Sequence, residues 1–245
     1  METGKTAVLT FGGPWSNHIL ATAYAARKCG LTSTGIIRGE QPRILSATLR
    51  DAAGAGMQLV FTNRQSYARK TDPAWLEELL QTYQHPIIIP EGGAGQTGVL
   101  GAATIARLFL GDYTHIIGAI GTGTMINGIL LSAAPGTTIV GVPVLRGYDD
   151  WQPSSANDGM ATNFRLAPGY AFGGYAKHTP ELLSFMNRFY SDTGIPTDFV
   201  YTGKLFFALT DLLARDYFPE GARILAIHSG GLRGNQSLAP GTLLF

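Results

Sequence analysis

Residues 114–131 read THIIGAIGTGTMINGILL, and the change of character at Gly121 decides the fold. The run 114–120 is short, apolar and rich in isoleucine, which predicts a strand covered on both faces. From Thr124 the apolar residues fall at helical spacing, which predicts a helix over 124–133. Between them, Gly121-Thr122-Gly123-Thr124 forms a strand-to-helix turn. Glycines leave backbone N–H groups free to converge at a helix N-terminus, and the threonine hydroxyls add donors, so the turn reads as a phosphate cradle. A plain tight turn explains the same four residues. The turn lacks the Gly-Lys-Ser/Thr ending of a nucleoside-triphosphate loop. Ile126 stands where a dinucleotide fingerprint has its third glycine, and the next strand ends in Val144-Leu145-Arg146 without an acidic residue, which counts against a nicotinamide oxidoreductase.

The same alternation extends in both directions. Strands are expected at 7–11, 34–37, 57–61, 86–89, 138–144 and 223–227. Helices are expected at 17–29, 44–53, 73–83, 97–110, 180–191 and 204–217, the third with Asp72 as N-cap and Pro73 at N1. This is the signature of βαβ units, hence an α/β fold with open, mostly parallel sheets. Residues 145–176 form the longest stretch without a period, and a loop of that size is more often functional than idle. Eighteen basic against 17 acidic residues leave a formal charge of +1, so no global field points to nucleic acid or a membrane surface. No apolar run is long enough for a membrane helix, and residues 1–6 carry no signal-like segment, so the chain reads as cytoplasmic. Cys29 stands alone, which leaves no internal disulfide or cysteine-built metal site, and its place in a helix pattern predicts a core position.

Ligands in open parallel sheets sit beyond the carboxyl ends of strands. Two more strand ends carry polar residues there. The first strand runs into Gly12-Gly13-Pro14-Trp15-Ser16-Asn17-His18. There Ser16, Asn17 and His18 either receive a carboxylate at a helix N-terminus, or Ser16 or Asn17 merely caps the helix while His18 is solvated. The last strand runs into His228-Ser229-Gly230-Gly231, where a small hydroxyl backed by glycines admits a flat ring or simply turns the chain. Tyr201-Thr202-Gly203-Lys204 opens a helix, with the tyrosine either in the core or in a cleft.

Taken in order with Ile89-Pro90-Glu91-Gly92-Gly93, these segments resemble the pyridoxal-phosphate-dependent family of 1-aminocyclopropane-1-carboxylate deaminases and D-cysteine desulfhydrases. The match runs from about Gly4 to the C-terminus. The resemblance implies a type II pyridoxal-phosphate fold of two α/β domains with the cofactor between them, a smaller domain over 1–88 and a larger one over 89–245. It implies that Gly121, Thr122, Gly123 and Thr124 hold the phosphate of pyridoxal 5'-phosphate and that Asn17 meets the ring oxygen. Ser229 then meets the pyridine nitrogen with Thr202 close by. Ser16, Asn17 and His18 take the substrate carboxylate, and Ser16, Tyr201 and, more loosely, Tyr175 are the catalytic candidates. It also implies a small amino-acid substrate and a homodimer, with no metal.

Deaminases of the family carry Glu after the tyrosine; this chain has Thr202, and Ser229 where they have an aliphatic residue. Hydroxyl neighbours leave the ring a milder electron sink, enough for α-proton loss and expulsion of a good β leaving group. The favoured activity is therefore β-elimination from D-cysteine or a similar amino acid to pyruvate, ammonia and sulfide, with the deaminase as the alternative. The family's Schiff-base lysine lies in a Gly-Asn-Lys segment upstream of the first strand, and Lys5 sits roughly 20 Å from that strand's far end at about 3.3 Å per residue. The expectation is that the lysine lies outside this sequence, that any cofactor is held noncovalently here, and that the chain by itself is inactive or a non-catalytic cofactor binder.

Overall fold

The computed structural model describes residues 4–154 and 163–245, and the chain divides after Gly93 into two units, each with its own parallel sheet. The first contains β1 (Ala7–Gly12), α1 (Asn17–Lys28), β2 (Thr32–Arg38), α2 (Ala47–Gly54), β3 (Met57–Thr62), α3 (Arg64–Ala68), α4 (Pro73–Thr82) and β4 (Ile87–Ile89). Its strand order is β3-β2-β1-β4, every pair parallel. Side chains alternate across a strand, so neighbours Ile36 and Ile37 enter opposite cores. Ile37 packs with Ile19, Ala23 and Leu49, and Ile36 with Leu9, Phe11, Tyr67 and Leu79.

The second unit contains α5 (Gln96–Ala103), a 3-10 turn (Thr104–Leu108), β5 (His115–Ile120), α6 (Thr124–Ser132), β6 (Thr138–Pro143), β7 (Phe164–Leu166), α7 (Pro180–Thr193), α8 (Thr202–Ala214) and β8 (Ile224–Ala226). A second 3-10 stretch covers Leu232–Ser237. The strand order is β7-β6-β5-β8, again all parallel. Ile116 joins Ile120, Ile126 and Ile129 on one face, and Ile117 joins Val140, Leu205 and Ala208 on the other.

Each sheet therefore winds outward in one direction and then returns to the other side of its first strand. Helices on the two sides diverge at such a reversal and leave a crevice at the carboxyl ends of the two strands that flank it. In the first unit these ends are the segments after β1 and β4, Gly12 to His18 and Pro90 to Gly93. In the second they are the segments after β5 and β8, Gly121 to Thr124 and His228 to Gly231. Four of the five motifs singled out in the sequence stand at these reversals.

The α/β class and the seven expected strands are present; the differences are local. Cys29 is exposed, not a core residue: α1 ends at Lys28, its buried stripe ends at Ala26, and Cys29 is the C-cap before left-handed Gly30. The helix expected over 97–110 is α for only eight residues. Glycines 98 and 101 weaken it, and Thr104 then bonds back to the Gly101 carbonyl at 2.7 Å, where the helix tightens to a 3-10 turn. The aperiodic stretch 145–176 contributes the edge strand β7, three residues paired with β6. Among the described residues no helix is long and apolar enough to cross a membrane.

Candidate active site

In the first unit the turn after β1 is too tight for side chains. A Cβ on Gly12 would collide with Ile19 and lie 2.8 Å from Ser16 Oγ. Ser16 is the N-cap of α1, its hydroxyl accepting from Ile19 N at 3.3 Å, and Asn17 is the first helical residue. The capping reading is thus met by Ser16, but His18 is half-buried and hydrogen-bonded. Its Nε2 lies 2.7 Å from Thr10 Oγ1, and that hydroxyl donates to Ile89 O at 2.8 Å. One hydroxyl has one proton, so the imidazole must donate from Nε2, leaving Nδ1 as an acceptor. Burial lowers the His18 pKa, opposed by the Glu91 carboxylate, and keeps the ring neutral at pH 7. Glu91 accepts from the Tyr67 hydroxyl at 2.8 Å and lies 3.5 Å from Lys70 Nζ.

In the second unit Gly123 is left-handed at φ 87°, and a Cβ there would run into the Trp151 indole. Gly123 is also the N-cap of α6 and supplies no side-chain acceptor, so the first-turn N–H groups have no cap of that kind. The hydroxyls of Thr122 and Thr124 lie 3.0 Å apart beside them. A Cβ on Gly121 would sit 3.0 Å from Tyr201 Cε1, so the Tyr201 ring lies against this turn. Tyr175 meets Tyr201 edge to face, with ring centroids 6.3 Å apart. Two more of the expected site residues, Tyr201 and Tyr175, thus join the Gly121 to Thr124 turn in one place.

Each residue of Tyr201-Thr202-Gly203-Lys204 has a separate structural task. Buried Asp198 accepts from the N–H groups of Val200, Tyr201 and Thr202 at 2.9, 3.1 and 2.8 Å and from the Thr202 hydroxyl at 2.7 Å. Burial pushes the Asp198 pKa up, while these donors pull it back. The Thr202 hydroxyl in turn accepts from Asp198 N at 2.7 Å. That hydroxyl, expected near the pyridine nitrogen, is buried and committed within the loop. Gly203 has no room for a Cβ, which would lie 2.8 Å from Asp198 O and 2.9 Å from Met186 Sδ. Lys204 is fully buried, its ammonium donating to the carbonyls of Ala171 and Gly174, both at 2.7 Å, and of Val144 at 3.3 Å. Burial lowers its pKa to about 8 against the pull of Asp198, so it is charged at neutral pH.

After β8, His228 Nε2 donates to Pro196 O at 2.8 Å while Nδ1 accepts from Gly230 N at 3.1 Å. Both ring nitrogens are used, and they brace the turn that carries exposed Ser229. Asn235 ties the same loop by donating to Thr197 O and accepting from Phe199 N. Lys5 donates to His85 O at 2.8 Å, at the amino end of β1. Sequence reasoning did not single out Thr10, Trp151, Asp198 or Asn235. Asp198 gave no cap signal either, because it lies four residues before α8, whose N-cap position is Tyr201.

Comparison with known proteins follows the same outline. The model of the family described as pyridoxal-phosphate dependent enzyme matches residues 2–230. A Pyrococcus abyssi protein provisionally named a 1-aminocyclopropane-1-carboxylate deaminase is 29% identical over 96% of this chain and 76% of its own length. The Arabidopsis thaliana bifunctional D-cysteine desulfhydrase/1-aminocyclopropane-1-carboxylate deaminase, mitochondrial, is 30% identical over 93% of this chain, which covers 64% of that protein. The solved structure of a homologue of 1-aminocyclopropane-1-carboxylate deaminase superposes with a TM-score of 0.78 at 28% identity, covering 95% of this chain and 76% of the other.

Proposed function

The chain belongs to the pyridoxal-phosphate-dependent enzyme family, and from that premise we propose a lyase of the D-cysteine desulfhydrase type, converting a small amino acid and water to pyruvate, ammonia and sulfide. The Gly121 to Thr124 turn suits the cofactor phosphate: two positions bare of side chains, two hydroxyls, and a helix N-terminus with no side-chain cap. When bound, pyridoxal phosphate supplies an electron sink for loss of the Cα proton.

The chain's own residues divide the remaining work. Ser16 and Asn17 offer the substrate carboxylate the positive end of α1, and Asn17 also holds the ring oxygen. His18, kept neutral with Nδ1 open as an acceptor, receives the proton of an ammonium or hydroxyl donor and not the carboxylate itself. Tyr201 lies against the phosphate turn, where its phenol would hold or move a proton near the reacting carbons, and Tyr175 flanks it. Ser229 follows β8, the strand paired with β5, and would offer a neutral partner to the pyridine nitrogen.

The observation that carries the desulfhydrase reading is at position 202. The residue there is a threonine and not a glutamate, and its hydroxyl donates to the buried Asp198 carboxylate. A ring nitrogen that meets only hydroxyls is held unprotonated more readily, which favours expulsion of a good leaving group over opening of a cyclopropane. The second reading, the deaminase, is favoured by the names of the relatives. The Lys204 ammonium is buried on backbone carbonyls, so borohydride reduction of the chain with pyridoxal phosphate is expected to leave Lys204 unmodified. The test is turnover of D-cysteine, L-cysteine, β-chloro-D-alanine and 1-aminocyclopropane-1-carboxylate by the form of the protein that carries the Gly-Asn-Lys segment, supplied with cofactor. Sulfide and pyruvate from D-cysteine support the proposal. Turnover of the cyclopropane alone reverses it, and saturable cofactor binding without turnover of any substrate assigns the chain a non-catalytic binding role.

A further inference from the structure

We infer that Lys204 is a positioning residue, whose buried ammonium clamps the strained loop 171–176 and thereby sets the place of Tyr175. The loop has two backbone bonds of its own, from Gly174 N to Ala171 O at 2.9 Å and from Lys177 N to Gly174 O at 3.2 Å, yet much of its backbone is strained. Phe172, Gly173, Gly174 and Ala176 all have positive φ, at 48, 89, 109 and 51°, and two of these residues are not glycine. Left-handed backbone strains a residue that bears a side chain, and such conformations persist only where surrounding contacts impose them.

Phe172 packs edge to face on Phe207 at 4.9 Å, and Lys204 ties the loop backbone from outside. Its Nζ meets Ala171 O and Gly174 O, the carbonyls that bracket the two strained glycine-side positions, and Val144 O at the end of β6. Three acceptors match the three N–H groups of an ammonium, and none is supplied by water, because the residue is 0% exposed. A methionine or leucine would fill such a volume without the cost of burying a charge, so the charge has a use beyond filling space. The loop is pressed close on its other side too, since a Cβ on Gly174 would lie 3.1 Å from Arg146 Cβ.

Tyr175 leaves this clamp immediately after Gly174 and meets the Tyr201 ring. Tyr201 precedes Lys204 by three residues, within the turn that Asp198 fastens. One short rigid base therefore holds both tyrosines: Tyr201 directly, and Tyr175 through the ammonium. The catalytic value of this pairing rests on the reading of the two tyrosines given above, whereas the clamp is independent of it.

Hydrogen exchange of the cofactor-free protein tests the clamp. In Lys204→Met, amides of 171–177 are expected to exchange at least tenfold faster than in the unmodified protein, with β5 amides unchanged and the Tyr175–Tyr201 ring-to-ring nuclear Overhauser effect lost. Unchanged rates and a retained ring contact overturn the inference. Should Lys204→Met fail to fold, the unmodified protein with ¹⁵N-labelled lysine decides: a slowly exchanging Lys204 ammonium, coupled to the Ala171 and Gly174 carbonyls, supports the clamp, and a freely exchanging one overturns it. Kinetics then separate the two layers. A loosened loop with kcat and KM both unaltered leaves the clamp standing and removes Tyr175 from the reaction.

Discussion

Thr10 has one proton to give, and giving it to Ile89 O decides the tautomer of His18. Thr10→Val removes the hydroxyl without removing bulk and strands both the imidazole N–H and the carbonyl, so urea unfolding should report a loss of about 1–3 kcal/mol. His18 also sets a pH dependence. Its folded pKa is lowered by burial, so as pH falls below 6.5 the unfolded chain binds a proton that the folded chain resists. Stability is therefore present above pH 6.5 and lost as pH falls from 6.5 toward the folded value. His18→Gln should flatten that slope in denaturant titrations between pH 5 and 7.5, and an unchanged slope would assign the acid sensitivity to another group. Ser16, Asn17 and His18 were legible because they follow a strand and two glycines. Thr10 was not, because one threonine inside an apolar run looks like any other strand residue.

At the scale of elements, the start of α8 hangs on one carboxylate. Asp198→Ala would leave two buried N–H groups, the part-buried Tyr201 N–H and the Thr202 hydroxyl without their acceptor, and is expected to cost more than about 3 kcal/mol. Asp198→Asn keeps an acceptor oxygen and should cost less, with helix content and thermal melting as the readout. This capping is also why α8 begins at Thr202, two residues before the expected Lys204. Apolar runs of four or more residues declared the central strands, and proline, aspartate and glycine signals set the ends of α4 and α7, where Asp72 caps with Pro73 and Gly194 closes at φ 70°. Elements shorter than a period were illegible. The three residues of β7 and the five of α3 contain too little repetition to stand out, and their structure is imposed by the sheet edge and by the Asn63 cap. The commitment of Thr202 was equally hidden, since it depends on a carboxylate four residues upstream.

At the scale of the whole molecule, the two units repeat one plan, a four-stranded parallel sheet that reverses about its first strand, each with separate cores on its two faces. Leu49→Ala, at a fully buried position of the first unit, should cost about 2–5 kcal/mol and speed amide exchange in β1 to β3, with β5 and β6 less affected. Equal acceleration in all the strands would mean that the units do not unfold separately. The account as a whole stands on the phosphate turn. The direct measurement is amide NMR of the perdeuterated protein titrated with pyridoxal phosphate. The predicted result is saturable downfield shifts at Gly121, Thr122, Gly123 and Thr124, abolished in Gly123→Val, while shifts confined to other segments with this turn silent would contradict it.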